Sequence, residues 1–251
     1  SIFKPIIQTE NQYSQGVDIN LKYNFSRAQG KYIALCEGDD YWTDPLKLQK
    51  QVDFLESHPE YNLYCSNWKE LHKDSIVNSP VHSLYKTPFS FSFATLPRIW
   101  ITKTATLMFR HNGFNYKLLT RYKKSRDIHL IYHLLIYKKG YFDPSTMAVY
   151  RIHPHGIWGS LQEVEKKETS YNLYKELFIF ERNKVVRKRY LHATLALFNA
   201  KFYQNQSVRK SLGNFSLYVE ACKLIRSGKD FIYTIGALFP KPLVQKVLNF
   251  F

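Results

Sequence analysis

An apolar run that passes directly into a cluster of acids is the feature that most constrains the fold of this chain. Residues 31–36 read Lys-Tyr-Ile-Ala-Leu-Cys, a nearly continuous apolar stretch typical of a central parallel strand that is covered on both faces. Three carboxylates follow within residues 37–40, and Pro45 then fits the first position of a helix that continues to His58. This order of strand, acidic turn and helix predicts an α/β sheet with a ligand site at the carboxyl end of the strand.

The rest of the chain divides into two parts of different character. Short β-like runs alternate with helical stretches as far as residue 159, and further strands are predicted over residues 3–8, 62–66, 104–109 and 147–151. A second helix is expected to begin at Asp127 and to stop at Gly140. The expected domains are therefore an α/β domain over residues 1–159 and a basic helical region over residues 160–251.

Composition limits the partners and the surroundings of the chain. The formal net charge is +16, from 36 Lys and Arg against 20 Asp and Glu, which favours an anionic partner. The stretch after residue 160 carries 16 of these basic residues and 7 of the acids. Three cysteines are too few for a disulfide scaffold, so a cytoplasmic setting is expected. No uncharged apolar stretch of about 18 residues occurs, so we expect any membrane contact to be peripheral.

The acidic turn has two interpretations on its own residues. Glu37, Asp39 and Asp40 repel one another unless a cation or several donors compensate their charge. Mg²⁺ or Mn²⁺ would do so, with carboxylate oxygens on one side and diphosphate oxygens on the other. The alternative is an ordinary acidic turn or a cap for the following helix.

A resemblance to a known family favours the first interpretation. Residues 30–42, Gly-Lys-Tyr-Ile-Ala-Leu-Cys-Glu-Gly-Asp-Asp-Tyr-Trp, followed by Asp44-Pro45 and Lys47-Leu48, resemble the segment around the Asp-X-Asp motif of bacterial family 2 glycosyltransferases. The resemblance implies a partial GT-A domain, which is a Rossmann-like α/β fold with a mixed central sheet, followed by a helical C-terminal region. It also implies a metal-dependent enzyme that uses Mn²⁺ or Mg²⁺ and a UDP- or GDP-sugar donor.

The same resemblance implies roles for the residues of the turn. Asp39 corresponds to the carboxylate that binds the metal, and Glu37 to the one near the ribose and the metal's waters, although the family more often has Asp there. Asp40, Tyr41 and Trp42 would border the sugar and the acceptor, with the aromatic rings available for stacking. Simple packing of Trp42 in the fold is the alternative.

Further site residues are expected downstream. Asp127 resembles the family's catalytic base, although an Asp at a helix start is often a cap. His153 resembles a late histidine that completes the metal shell, and the alternative is a structural histidine. Arg151 could pair with a diphosphate or with a local carboxylate. The substrate-binding set is completed by His155 and Trp158.

Taken together, the resemblance implies an inverting transferase that acts in the synthesis of a surface polysaccharide, with a glycan or lipid-linked acceptor. The basic, apolar stretch of residues 231–251 is typical either of an amphipathic helix on an anionic membrane, here the inner face of the plasma membrane, or of a helix that packs on its neighbours. We expect no nucleic-acid partner. An inactive remnant and a basic binding protein are the alternative functions, because the chain is expected to lack the N-terminal strand-helix-strand unit of the family, and with it part of the nucleobase pocket.

Overall fold

The computed structural model describes residues 4–12, 15–113, 115–123, 126–153, 156, 158–204 and 215–236. It divides the chain into two compact units, Ser1–Gly156 and Ile157–Phe251. The first unit is mixed α/β and the second is helical. Among the described residues, no helix is both long enough and apolar enough to cross a membrane.

A mixed seven-stranded sheet forms the first unit. Its strands are β1 (Tyr32–Ala34), β2 (Tyr41–Trp42), β3 (Tyr61–His72), β4 (Ser75–Asn78), β5 (Phe89–Phe91), β6 (Met108–Arg110) and β7 (Lys139–Ile152). The main order is β1-β6-β3-β7-β2, with β4 on β3 and β5 on β7. The pairing of β3 with β7 is parallel and the other pairs are antiparallel.

The long strand β3 is the centre of this unit. Residues 61–68 are all buried, and Leu63, Cys65 and Trp68 are exposed by 1% or less. The helix α1 (Lys47–Ser57) places Leu55 against Tyr61, Tyr64 and Met108. A strand that is buried on both faces, with a helix packed on one of them, supplies the rigid frame for the loops at its ends.

Several sequence predictions are confirmed and others are wrong. Strands cover residues 62–66 and 147–151, and the second helix, α2 (Asp127–Leu135), begins at Asp127. Residues 4–8 form no strand, because they are largely exposed and pair with no described strand. Residues 104–106 form a 3₁₀ turn, and only the end of that predicted strand, in β6, is extended.

The apolar run at residues 31–36 does not form a central parallel strand. In the described part of the sheet, β1 pairs only with β6, antiparallel, so it lies at an end of the strand order and is half-buried. The helical turns at residues 20–27 contact the neighbouring strand β6 through Phe25, which packs edge-on against Phe109. An apolar run predicts that a segment is buried. It does not predict how many strands pair with that segment or whether the pairs are parallel.

Two expected helix boundaries are also wrong. Pro45 lies in a turn, and α1 begins at Lys47. Gly140 does not end a helix, because it lies in β7, where the ring of Phe91 crosses close above it and a Cβ atom would come within 2.5 Å of that ring. The glycine therefore serves a close approach between β5 and β7.

Four helices make up the described residues of the second unit. They are α3 (Glu163–Glu181), α4 (Lys184–Gln204), α5 (Phe215–Lys223) and α6 (Gly228–Gly236). Arg182 reverses the chain between the first two with a left-handed conformation, φ 40°. A shared core holds the unit together and includes Tyr171, Tyr190, Leu191, Leu197, Ala221 and Leu224.

Candidate functional site

The acidic turn lies between two strands and is fixed by backbone contacts. Leu35 N–H donates to the carbonyl of Leu107 at 3.4 Å, and Asp40 N–H donates to the carbonyl of Glu37 at 3.2 Å. The chain then enters β2, where Tyr41 pairs with Val149 of β7. The turn is thereby attached to the last residues of the longest strand.

The end of β7 approaches the turn with two of the predicted site residues. The Arg151 N–H donates to Asp40 Oδ1 at 2.8 Å, and its Nε donates to the carbonyl of Asp39 at 3.0 Å. The ring Nε2 of His153 lies 3.1 Å from Asp39 Oδ2. The structure thus brings Asp39, Asp40, Arg151 and His153 together from segments more than a hundred residues apart in the chain.

Asp40 is the buried member of the turn. Its Oδ1 accepts from Arg151, whereas its Oδ2 is buried and, with all carboxyls ionised, has no donor in the described part of the chain. A protonated Glu37 carboxyl can donate to Asp40, and this hydrogen bond ties the two acids together. Burial, and after it the charge of Asp39, raises the pKa of Asp40 against the lowering by the Arg151 N–H.

The surroundings of Glu37 raise its pKa strongly. Burial, then the charges of Asp127, Asp40 and Asp39, raise the pKa of Glu37 to about 7. Its side chain is nevertheless accessible to solvent. A carboxyl that is reachable by water but crowded by other acids is a position where a cation would find favourable partners.

Asp127 acts electrostatically on the same acidic turn. It is the first residue of α2, and its charge acts on Glu37 more strongly than that of Asp39 or Asp40. Burial raises the pKa of Asp127, and the charge of Lys103 lowers it, although the residue also remains accessible to solvent. The ring Nδ1 of His129 accepts the N–H of Arg126 at 3.1 Å, so capping at this helix start involves an imidazole.

Lys103 is a member of the site that the sequence did not indicate. Its backbone carbonyl accepts two hydrogen bonds from Thr106, at 2.9 Å from the N–H and 2.7 Å from Oγ1. Its ammonium lies 3.8 Å from the ring centre of Tyr150 and 5.9 Å from that of Trp68. Burial lowers the pKa of Lys103, and the charges of Glu70, Glu37, Asp127 and Asp40 oppose that shift. No motif surrounds this lysine, so only the fold reveals its place.

The two aromatic residues after the turn are both partly exposed. Tyr41 is exposed by 39% and Trp42 by 37%. The Nε1 of Trp42 donates to the carbonyl of Ala105 at 2.9 Å, and the ammonium of Lys47 lies 4.5 Å from its ring centre. Trp42 is therefore anchored at one edge while part of its surface stays open.

The remaining predicted residues fall elsewhere. Trp158 belongs to the second unit and is exposed by 47%. His155 lies outside the described residues, so its expected role in substrate binding stays a prediction. The two histidines of α2, His129 and His133, are buried.

The oxygen and nitrogen donors at the turn suit a divalent cation whose remaining ligands come from elsewhere. Oxygen and imidazole donors suit Mn²⁺, and two donors at about 2.0–2.2 Å from one ion are about 3 Å apart when they sit at right angles, close to the observed 3.1 Å between Asp39 and His153. The buried Oδ2 of Asp40 has no donor in the described part of the chain when Glu37 is ionised, and the positive charge of an ion at the turn would offset its charge. Within that part, no group of three or more His, Cys, Asp or Glu side chains is arranged to hold a metal alone. A bound ion would therefore need ligands from a substrate or water.

Comparison with known proteins gives relatives but no activity. The chain is 36% identical over 177 residues to uncharacterized protein Rv1520 of Mycobacterium tuberculosis and, to the same extent, to uncharacterized protein Mb1547 of Mycobacterium bovis. The match covers 66% of this chain and 46% of each relative, so the chain spans about half the length of the curated relatives it matches. No protein-family model matches the chain.

Proposed function

We propose that this chain acts as a metal-dependent, inverting glycosyltransferase that resembles family 2 enzymes of the GT-A fold. The observation that carries the proposal is the meeting of the acidic turn with the end of β7, where Asp39 Oδ2 lies 3.1 Å from His153 Nε2; the charge of Asp127 acts on Glu37 of the same turn. A nucleotide-sugar is the donor, and a glycan or lipid-linked hydroxyl is the acceptor.

Asp39 and His153 would hold the divalent ion, with Asp40 behind them. When bound, the ion supplies positive charge beside the diphosphate of the donor. The Nε of Arg151 donates to the backbone carbonyl of Asp39, and the backbone N–H of Arg151 donates to Asp40 Oδ1. Arg151 therefore holds the two acids of the turn in place, and its remaining guanidinium donors can reach an anionic group.

Asp127 acts as the base in this proposal. It removes the proton of the acceptor hydroxyl while that oxygen forms a bond to the anomeric carbon of the donor sugar. The bond from this carbon to the diphosphate oxygen breaks, and the diphosphate leaves with the electron pair. Because the nucleophile enters opposite the leaving group, the anomeric configuration inverts. The Lys103 charge supports the reactive, ionised form of Asp127.

The proposal is tested by calorimetric titration of UDP and GDP into the full chain, with and without Mn²⁺. Binding of one nucleotide that needs the metal, and that Asp39→Ala weakens by at least about tenfold, is the expected result. The control is Asp74→Ala, an exposed residue between β3 and β4. Equal affinity with and without the metal, or the same affinity in Asp39→Ala, would remove the site from donor binding.

We also propose that the second unit contacts an anionic membrane surface. On α6, Phe231, Ile232, Tyr233 and Ile235 are exposed by 38–54%, and Lys229 is exposed on the same short helix. Apolar side chains beside basic ones favour an interfacial position. Residues 237–251 of the predicted amphipathic segment lie outside the described residues.

One arginine of the second unit forms an ion pair within that unit. Arg187 Nη1 donates to Asp230 Oδ2 at 2.9 Å, and both side chains are nearly buried. The membrane proposal therefore relies on exposed lysines. Sedimentation with phosphatidylserine vesicles should fall when Phe231 and Ile235 are both changed to Ser, and unchanged sedimentation would contradict the proposal.

A further inference from the structure

Trp42 is held in one orientation beside the acidic turn. It follows the buried Asp40 by two residues, and its backbone pairs with Ala148 of β7. The indole N–H donates to Ala105 at 2.9 Å, which fixes the rotation of the ring in its plane. An ammonium covers part of one ring face, while 37% of the residue remains exposed.

The ammonium at this ring belongs to a buried lysine. Lys47 is the first residue of α1 and is only 1% exposed, and burial lowers its pKa to about 8. Its Nζ donates to Gln51 Oε1 at 2.8 Å, and Gln51 Nε2 donates in turn to the carbonyl of Thr106 at 2.9 Å. Both residues of this relay are fully buried.

Burying the Lys47 ammonium costs free energy of desolvation. A need to fill space in the core does not explain why a lysine occupies this position. Removing a charged group from water is unfavourable by several kcal/mol unless partners compensate it, and a Met side chain of similar shape would fill the space without that penalty. The compensation seen here consists of one amide oxygen and the face of Trp42. The cation–π contact, which strengthens when it is desolvated, thus links the buried relay to the exposed indole.

We propose that Lys47 is a positioning residue which holds Trp42 as a stacking platform for a neutral pyranose ring beside the acidic turn. Lys47 itself does not touch the sugar. The exposed part of a rigid indole presents an apolar, electron-rich surface that suits the C–H face of a pyranose, and fixing the ring in advance removes the entropy cost of ordering it on binding. This inference rests on the proposed function for its biological meaning, but its physical test does not.

The test uses the full chain labelled with 5-fluorotryptophan and observed by ¹⁹F NMR. Trp42→Phe assigns the resonance of Trp42 among the four tryptophans. The probes are methyl glucoside, methyl galactoside and methyl mannoside, which share a pyranose C–H face. We expect at least one of them to shift the Trp42 resonance in the unchanged chain without moving those of the other three tryptophans.

Lys47→Met should move and broaden the Trp42 resonance and weaken the response to the sugar by about tenfold. Lys47→Arg should restore much of both effects, because it keeps the charge. Lys50→Met is the matched control, since Lys50 lies on the same helix and pairs with Asp44 on the surface. Circular dichroism verifies folding, and Gln51→Leu, which removes the acceptor of the ammonium, should act in the same direction as Lys47→Met.

Two results would overturn the inference. One is a Trp42 resonance that no methyl pyranoside shifts. The other is a folded Lys47→Met chain in which the resonance and the sugar response match those of the Lys50→Met control. Failure of the proposed function is distinguishable, because absence of metal-dependent nucleotide binding leaves the resonance and its response to methyl pyranosides unaffected.

Discussion

The carboxylate Oδ2 of Asp39 and the ring Nε2 of His153 lie 3.1 Å apart although 114 positions separate them in the chain. Two long-range attachments create this contact, namely the pairing of β2 with β7 and the hydrogen bonds of Arg151 to the turn. Because both attachments are made by backbone or guanidinium groups, the pair is held before any ligand arrives.

Replacing His153 by Ala should weaken metal-dependent nucleotide binding about 10- to 100-fold, as is common when a group that holds or orients a metal is lost. Calorimetric titration of the nucleoside diphosphate with Mn²⁺ measures the change. His111→Ala is the control, since His111 contacts the carbonyl of Gly30 at the far end of β1. Equal losses in both variants would point to general damage.

Replacing Asp127 by Asn should abolish transfer, with a loss of about 10²–10⁴ in kcat, and should leave the affinity for the donor nucleotide nearly unchanged. The reason is that the amide cannot accept the hydroxyl proton but keeps the shape of the side chain. A radiolabelled nucleotide-sugar assay gives the rate, and calorimetry gives the affinity. Undiminished turnover would exclude Asp127 as the base.

Glu37 makes the stability of the chain depend on pH in a defined direction. Its pKa is raised from 4.5 to about 7 in the folded chain, so the folded chain keeps a proton that the unfolded chain releases between these values. Stability should therefore fall as the pH rises from about 4.5 to 7. Glu37→Gln should flatten this part of the curve. Thermal unfolding across pH 4.5–8 tests it, and Glu60→Gln, an exposed residue, should leave the slope as it is.

Lys103 should control the pH profile of the proposed reaction. Its charge lowers the pKa of Asp127 against the effect of burial, so in Lys103→Met the pKa of Asp127 rises and the base is protonated over a wider acidic range. Activity should fall more at pH 6 than at pH 8, and the acid limb of the kcat/KM profile should move to higher pH. A uniform loss at every pH would mean that Lys103 acts through packing on Tyr150 instead. Lys117→Met is the control, because Lys117 is exposed and is not one of the site residues.

The sequence predicted the parts of the site that are local in the chain. Glu37, Asp39 and Asp40 form a turn after a strand as expected, although the short strand β2 separates this turn from the helix α1, and Asp127 begins a helix. These features depend on neighbouring residues, whose spacing can be read directly. The strand that leads to His153 was also found, because residues 147–151 carry a recognisable β pattern.

What the sequence missed depends on contacts between distant segments. Lys103 and Lys47 gain their roles from Tyr150 and Trp42, and neither lysine stands in a pattern that marks it as buried. The predicted central strand proved to be β1 at an end of the strand order. Strand order and the surroundings of a single lysine are set by tertiary pairing, which an apolar pattern alone does not encode.

The central claim is that Asp39 and His153 bind one divalent ion together with a nucleoside diphosphate. Pulsed electron paramagnetic resonance of Mn²⁺ with UDP or GDP bound to the full chain tests it directly. The account predicts coupling of the ion to a ¹⁴N nucleus of an imidazole and to ³¹P of the nucleotide, with the ¹⁴N coupling lost in His153→Ala. A spectrum that shows only the hydrated ion in the presence of excess chain and nucleotide would contradict it.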